Sequence, residues 1–168
     1  MNATASSFTL ALVLTVVSPA MAQATQSHAH HAAAASADVD VPAAAEAAVA
    51  VAERFNSALS SGDLATVEAL LAADVLILES GGAERSRDEY MGHHAASDAA
   101  FLKGAHRQLL RQRARTAGEF AWVGTESELH AQKDGKPLTV QSAETMVLKE
   151  TADGWRIVHI HWSSRTKR

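Results

Sequence analysis

The stretch of residues 154–163 constrains the fold more than any other part of the chain. β-Branched and aromatic residues dominate it and the turn signal Ala152-Asp153-Gly154 opens it, so it predicts a β-strand. Side chains alternate between the two faces of a strand. One predicted face carries Trp155, Ile157, His159 and His161, and the other carries Val158, Ile160 and Trp162. Because both faces are largely apolar, we expect a strand in the middle of a sheet, with hydrogen-bond partners near its two histidines.

Residues 138–149 are the predicted antiparallel partner of this strand. With a four-residue loop, the register opposes three pairs: Leu148 and Ile157, Met146 and His159, and Glu144 and His161. A two-residue loop changes the pairs but keeps Glu144, Met146 and Leu148 on the histidine face. Three roles fit a carboxylate beside an imidazole: structural hydrogen bonding, orientation of a ligand, or catalysis. Trp162 would join this site only if the strand twists or bulges near its end.

Two helices are predicted near the start of the folded region. Pro42 suits the first turn of a helix, and Val51, Phe55 and Leu59 then recur every four residues along one face. Asp63 can cap a second, shorter helix, whose apolar side consists of Leu64, Val67, Leu70 and Leu71. Each helix therefore has one face suited to a core.

A third helix and an antiparallel meander complete the predicted arrangement. Residues 75–79 form a short strand, and Ser86 with Glu89 makes a capping box that opens a helix reaching about residue 102. Alternation then replaces the helical period in four strand-like runs, at residues 106–115, 119–130, 138–149 and 155–164. Helices followed by such a meander predict an α+β fold, with three N-terminal helices packed on one face of the sheet.

The first 41 residues are predicted to lie outside the domain. Residues 8–17 are an apolar run too short to span a bilayer, and Ala20-Met21-Ala22 matches a signal-peptidase site, so residues 1–22 read as a signal peptide. We therefore expect a periplasmic or secreted protein with no stable membrane anchor. Residues 23–41 have the composition of a flexible linker, and residues 42–168 form the domain. Three linker histidines either bind a metal ion or have no specific role: His28, His30 and His31.

Charge and composition exclude several functions. A net charge of −4 gives no electrostatic footprint for nucleic acid. The only concentration of positive charge alternates along one strand, which predicts a solvated strand face: Arg107, Arg111, Arg113 and Arg115. The absence of cysteine excludes disulfides, a lipid anchor on cysteine and thiol catalysis.

Candidate functional residues also lie on the third helix. Tyr90, His94, Ser97 and Phe101 share one face, and Asp98 lies one turn beyond His94. An aspartate that orients an imidazole builds a general base, although a capped surface pair has the same spacing. Trp122 either walls a pocket or fills the core. No set of residues has a diagnostic metal spacing, and the sequence has no phosphate loop or dinucleotide fingerprint, so neither a metal nor another cofactor is expected.

The order of elements resembles the SnoaL-like branch of the nuclear transport factor 2-like superfamily. The residues that carry the closest similarity are Glu144-Thr145, Val147, Trp155, Ile157-Val158-His159, His161 and Ser163, which look like the closing hairpin of the calcium/calmodulin-dependent protein kinase II association domain. The resemblance implies a cone-shaped half-barrel whose curved antiparallel sheet wraps the long helix and leaves a pocket at its open end. It also implies homodimers formed through the sheets.

The sequence therefore predicts a domain that binds a small organic molecule between the third helix and the sheet. The candidate ligand-binding residues are Tyr90, His94, Phe101, Trp122, Glu144, Met146, His159, His161 and Trp162. Two alternatives remain open. One is a cofactor-independent isomerase, cyclase or dehydratase with His94 as base and Asp98 as its orienting group. The other is an oligomeric assembly module with an incidental cavity.

Overall fold

The computed structural model describes residues 36–167. The predicted signal peptide and most of the predicted linker, including its three histidines, lie outside this range. The helices are a 3₁₀ turn at Ala43–Ala45 followed by α1 (Glu46–Ser61), α2 (Leu64–Leu70), α3 (Arg87–His93) and α4 (Ala95–Leu102). The strands are β1 (Asp38–Asp40), β2 (Leu71–Glu79), β3 (Gly82–Glu84), β4 (His106–Ala117), β5 (Phe120–Lys133), β6 (Lys136–Thr151) and β7 (Gly154–Thr166). Within the described residues, no helix has both the length and the apolar character needed to cross a bilayer.

All seven strands of the described region join one curved, unclosed sheet in the order β1-β4-β5-β6-β7-β2-β3. The long strands β4 to β7 form the predicted antiparallel meander, while β1 pairs with β4 and β2 pairs with β7 in parallel. The four α-helices lie against one face of this sheet, which we call the inner face. The predicted α+β class is therefore confirmed.

The helix boundaries follow the predicted capping residues, but the third helix is divided. Asp63 accepts a hydrogen bond from the Thr66 amide at the start of α2, and Ser86 accepts one from the Glu89 amide at the start of α3. The predicted single helix that reaches residue 102 instead ends at His93 and resumes at Ala95 as α4. Gly92 lies just before this break, and a glycine inside a helix costs about 1 kcal/mol relative to alanine.

The core fills the space between α1 and the middle of the inner face. Phe55 on α1 and Ile157 and Ile160 on β7 are each fully buried there. Met146, which we predicted to line a pocket, also has no exposed surface and belongs to this core. Met146 therefore packs in the core and does not line a cavity.

A β-bulge at Val158 corrects the predicted register of the closing hairpin. Leu148 does oppose Ile157, but the next pair is Val147 with His159, so Val158 is left over. Beyond the bulge every side chain of β7 is on the opposite face from the one predicted, because one extra residue reverses the alternation. Glu144 consequently opposes Trp162 and not His161.

A second register shift, between Leu109 and Arg111, divides the four arginines of β4. Arg107 lies on the inner face, where its guanidinium contacts Glu53 of α1, so the predicted solvated face does not include it. The other three remain on the outer face, and they pair with carboxylates of β1: Arg111 and Arg113 with Asp38, and Arg113 and Arg115 with Asp40.

The strand β1 extends the ordered domain beyond its predicted start at residue 42. Asp38, Val39 and Asp40 pair in register with Arg111, Gln112 and Arg113, and their carboxylates meet the outer arginines. Composition indicated a linker here because these residues bury little surface. They are ordered instead by backbone pairing and by ion pairs with a strand more than 70 residues away.

Candidate functional site

The inner face of the sheet changes from apolar to polar in successive cross-strand rows. The first row is apolar and consists of Ala114, Val123, Met146, Ile160 and Ile77. The next is polar and consists of Gln112, Thr125, Glu144, Trp162 and Glu79. The third continues with three serines in register, Ser127, Ser142 and Ser164. Polar groups therefore concentrate where the helices leave the sheet uncovered.

Two adjoining cavities lie over these polar rows. The small lobe has a volume of about 380 Å³ and lies between α1 and the β4–β7 strands. The large lobe has a volume of about 550 Å³ and extends past α4 to the ends of β5, β6 and β7. Both lobes are lined by Leu59, Leu102, Leu129, Ser142 and Trp162. Volumes of this size are typical of sites for small organic molecules.

Glu144 is the central polar group of the small lobe. One carboxyl oxygen accepts a hydrogen bond from the Asn56 amide nitrogen at 3.0 Å, and the other accepts one from the Trp162 indole nitrogen at 2.8 Å. Desolvation by the surrounding protein raises the pKa of Glu144, although both hydrogen bonds and nearby Arg107 oppose the shift. A protonated Glu144 has a hydroxyl group to donate, so it can serve as a hydrogen-bond donor, acid or base.

A second polar group, built around Arg107, lies on the wall of the same lobe. Glu53 on α1 accepts hydrogen bonds from Arg107 Nη1 at 3.0 Å and from Gln112 Nε2 at 2.7 Å. These contacts fix the guanidinium and balance its charge. Arg107 Nη2 is buried and has no hydrogen-bond partner within residues 36–167.

The predicted pairing of His94 with Asp98 is not formed. The Asp98 carboxylate instead accepts a hydrogen bond from the buried Tyr90 hydroxyl at 3.0 Å, and His94 Nδ1 contacts the Glu84 carboxylate. The pKa of His94 is raised, first by its hydrogen bond to Glu84 and then by the charge of that carboxylate. Burial raises the pKa of Asp98 against the effect of the Tyr90 hydrogen bond.

The residues predicted for the third helix therefore differ in whether they reach the cavity. Asp98 and Phe101 line the large lobe, with Phe101 47% exposed at its edge. Tyr90 is fully buried and reaches the lobe only through Asp98. The His94 side chain is 61% exposed and lines neither lobe.

Three residues predicted to contact a ligand lie on the outer face of the sheet. His161 is exposed there, and His159 Nδ1 donates to the Leu76 carbonyl oxygen at 2.8 Å. Trp122 is 43% exposed, and a Cβ at Gly124 would lie 3.4 Å from its Cζ3 atom. The two histidines were assigned to the inner face because a regular strand was assumed at Val158. Conversely, the bulge brings Trp162 to the cavity, which is the condition that its predicted role required.

Several polar residues of the site were not predicted. They are Glu53, Asn56, Glu79, Glu84, Arg107 and Gln112. The sequence does contain a signal for part of this set, since Glu53, Asn56 and Ser60 recur at helical spacing along the edge of the apolar face of α1. No pattern in β4 indicates Arg107, because its orientation depends on the register shift. Among the described residues, no group of three potential ligands is arranged to hold a metal ion.

The fold and the cavity place the chain in the class of α+β proteins whose helices cover one face of a curved sheet and leave a cavity beside it. Residues 48–166 match the family model of the SnoaL-like domain, and the chain belongs to this family. No functionally curated protein has significant sequence similarity to it.

Solved structures agree with this assignment. A candidate ketosteroid isomerase from Shewanella frigidimarina is 36% identical, with a TM-score of 0.67 over 76% of this chain and 100% of that one. The calcium/calmodulin-dependent protein kinase II hub of S. rosetta is 22% identical, with a TM-score of 0.61 over 74% of this chain and 100% of that one. A candidate association domain of this kinase type from Xanthomonas campestris is 23% identical, with a TM-score of 0.60 over 76% of this chain and 94% of that one. The last two show the fold alone.

Proposed function

We propose that this SnoaL-like domain binds a small organic molecule in the two lobes on either side of Trp162. The observation that carries the proposal is Glu144, a carboxyl group on the wall of an open cavity whose two oxygens are held by Asn56 and Trp162. A desolvated carboxyl group is unfavourable for stability, so the position of Glu144 on a cavity wall supports a role toward a ligand.

Native mass spectrometry of the protein purified from its exporting host tests this proposal. We expect the wild type to retain a small organic ligand. Glu144→Gln should lower the affinity for this ligand about tenfold, because it removes one hydrogen-bonding partner. His94→Ala is the matched control, because His94 lines neither lobe. Equal retention by wild type and Glu144→Gln, or loss in His94→Ala alone, would contradict the proposed position.

A second candidate function is isomerisation of an unsaturated ketone. The relative from Shewanella frigidimarina supports it, and so does Asp98, which lines the large lobe and has a raised pKa. A carboxylate of raised pKa is a stronger base, suited to removing a proton beside a carbonyl group and returning it two carbons away. His94 does not reach the cavity, so we assign the base to Asp98.

Turnover of androst-5-ene-3,17-dione, followed by absorbance of the conjugated enone product, tests this candidate. Asp98→Asn should reduce the rate by roughly 100-fold or more, in the range usual for loss of a general base. Asp88→Asn is the matched control and should leave the rate unchanged, because the Asp88 side chain on α3 is 85% exposed and lines neither lobe. A wild-type rate no higher than that of the buffer would exclude the activity for this ketone.

We also propose a homodimer formed through the outer face of the sheet. A row across four strands there consists of Trp122, Val147, His159 and Leu76, with Trp122 43% and Leu76 39% exposed. Light scattering should give a dimer mass for the wild type and a monomer mass for Trp122→Glu. The control is Phe101→Glu, which changes a similarly exposed aromatic residue at the cavity. A monomeric wild type would contradict the proposal.

Export remains a proposal supported by the first 22 residues alone. Expression in a bacterial host should yield a periplasmic protein whose intact mass begins at Gln23. A chain that keeps Met1 in every fraction would contradict cleavage near Ala22.

A further inference from the structure

Hydroxyl groups line both walls of the small lobe. Ser57 and Ser60 lie on the α1 side, and Ser127 and Ser142 are cross-strand partners on the sheet side. Ser164 continues this row across β7 and lines the large lobe. Neighbouring strands are about 4.8 Å apart, so the sheet side presents hydroxyl groups at regular steps along the row.

Other hydrogen-bonding capacity surrounds these serines. Arg107 Nη2 is a buried donor with no partner among the described residues, and the Glu144 carboxyl group lies on the same wall. A buried polar group without a partner is costly, and a ligand that cannot form hydrogen bonds would add to this cost by displacing water from the serines. A purely apolar ligand is therefore a poor match for the small lobe.

The ring of Trp162 provides an apolar surface for the C–H groups of a hydroxyl-rich ligand ring. It lines both lobes, and its indole nitrogen is engaged by Glu144, so its orientation is fixed. An aromatic ring offers a large apolar surface to the C–H groups of a ligand whose hydroxyl groups point sideways.

We propose that the small lobe binds a polyhydroxylated group, such as a polyol or a sugar ring, between the serines of α1 and the Ser127–Ser142 pair. Any apolar part of the same ligand extends past Trp162 into the large lobe. This inference rests on the proposed ligand-binding function and specifies the chemical class of the ligand.

The test follows the tryptophan indole N–H signals of the full-length protein by NMR during addition of myo-inositol, D-glucose or androst-4-ene-3,17-dione. Single Trp→Phe variants assign the three signals. The polyol and the sugar should shift the Trp162 signal in a saturable manner and leave the signal of Trp122, on the outer face, unchanged. The steroid dione serves as the apolar probe.

Ser127→Ala and Ser142→Ala should each weaken polyol or sugar binding by roughly three- to tenfold, the loss expected for one hydrogen bond. Ser163→Ala is the matched control, because Ser163 is an exposed serine that opposes Ala143 on the outer face. It should leave the affinity unchanged.

Three results would overturn the inference. If only the dione shifts Trp162, and the serine variants bind it as the wild type does, the lobe binds an apolar ligand and the proposed ligand-binding function still stands. If the polyol binds equally to wild type and to both serine variants, the hydroxyl-rich group lies elsewhere. If no probe shifts Trp162 and no mass is retained in native spectrometry, both the inference and the proposed function fail.

Discussion

At the scale of single residues, Glu144 and Asp98 are two of the three carboxyl groups that combine a position on the cavity wall with a raised pKa, and the third is Glu79. Glu144 is held by an amide and an indole, and Asp98 is held by a phenol. Each carboxylate keeps its hydrogen bonds but loses water, and desolvation is the larger effect. These are the groups whose protonation should respond to a ligand.

Glu144 should make the domain less stable as the pH rises. Its pKa in the folded state is above its unfolded value of about 4.3, so the folded state holds the proton more tightly. The free energy of unfolding therefore falls as the pH rises from the unfolded-state pKa through the folded-state pKa. Urea unfolding between pH 4 and pH 8 should show a smaller decline in Glu144→Gln than in wild type. Parallel curves for the two proteins would show that Glu144 does not titrate differently on folding.

Tyr90→Phe should cost about 1 kcal/mol, because it removes one hydrogen bond and leaves the Asp98 carboxylate with one partner fewer. The same change should raise the pKa of Asp98 further, since the Tyr90 hydroxyl group lowers it. Carboxyl ¹³C titration by NMR measures this shift, and denaturant unfolding measures the stability. An unchanged Asp98 titration would contradict the hydrogen bond.

At the scale of elements, the bulge in β7 decides which residues face the cavity. Val158 is the extra residue, and because it is left out of the pairing, Trp162 faces inward and His159 and His161 face outward. The bulge also lets β7 bend, since a bulged strand bends and twists more strongly than a regular one. A local irregularity thus controls the composition of the site.

Deleting Val158 should remove the bulge and leave a regular hairpin with the same cross-strand pairs, because Ile157 and His159 already oppose the neighbouring residues Leu148 and Val147. Trp162 should stay at the cavity and the histidines on the outer face, and any loss of stability should stay within the range of about 0.5–3 kcal/mol that is usual for single changes. Denaturant unfolding measures the change in stability, and acrylamide quenching of a variant with Trp162 as its only tryptophan measures its exposure. A deletion variant in which Trp162 becomes exposed would contradict the register of the hairpin.

At the scale of the whole molecule, the domain is closed at one sheet edge by a strand from outside the predicted boundary. Asp38 and Asp40 hold β1 against β4, and the arginine hydrogen bonds lower the pKa of both carboxyl groups. Covering the edge of β4 also removes an unpaired strand edge that could join another chain.

Two shortened chains should therefore differ. A chain that starts at Ser36 should keep the unfolding temperature of the full-length chain, whereas one that starts at Pro42 should unfold at a lower temperature and show faster amide exchange in residues 111–113. Calorimetry and hydrogen exchange give the two readouts. In the longer chain, β1 should lose its protection at acidic pH, as pH falls through the lowered pKa values of its two carboxyl groups. Equal behaviour of the two chains would mean that β1 does not stabilise the domain.

The amino-acid sequence by itself determined the class of fold, the meander, the capped helix starts and the family, because hydrophobic period, turn residues and caps act locally. Of the residues that the sequence predicted for a site, Glu144, Asp98, Phe101 and Trp162 line a lobe. Only the tertiary structure decided the hydrogen-bond partners of the two carboxyl groups. Val158 and Leu110 look like ordinary strand residues, and their bulges reverse the faces that alternation predicts for the histidines and for Arg107. The cavity is likewise a property of packing, since its walls come from α1, α4 and five strands, β2 and β4 to β7, that span much of the sequence.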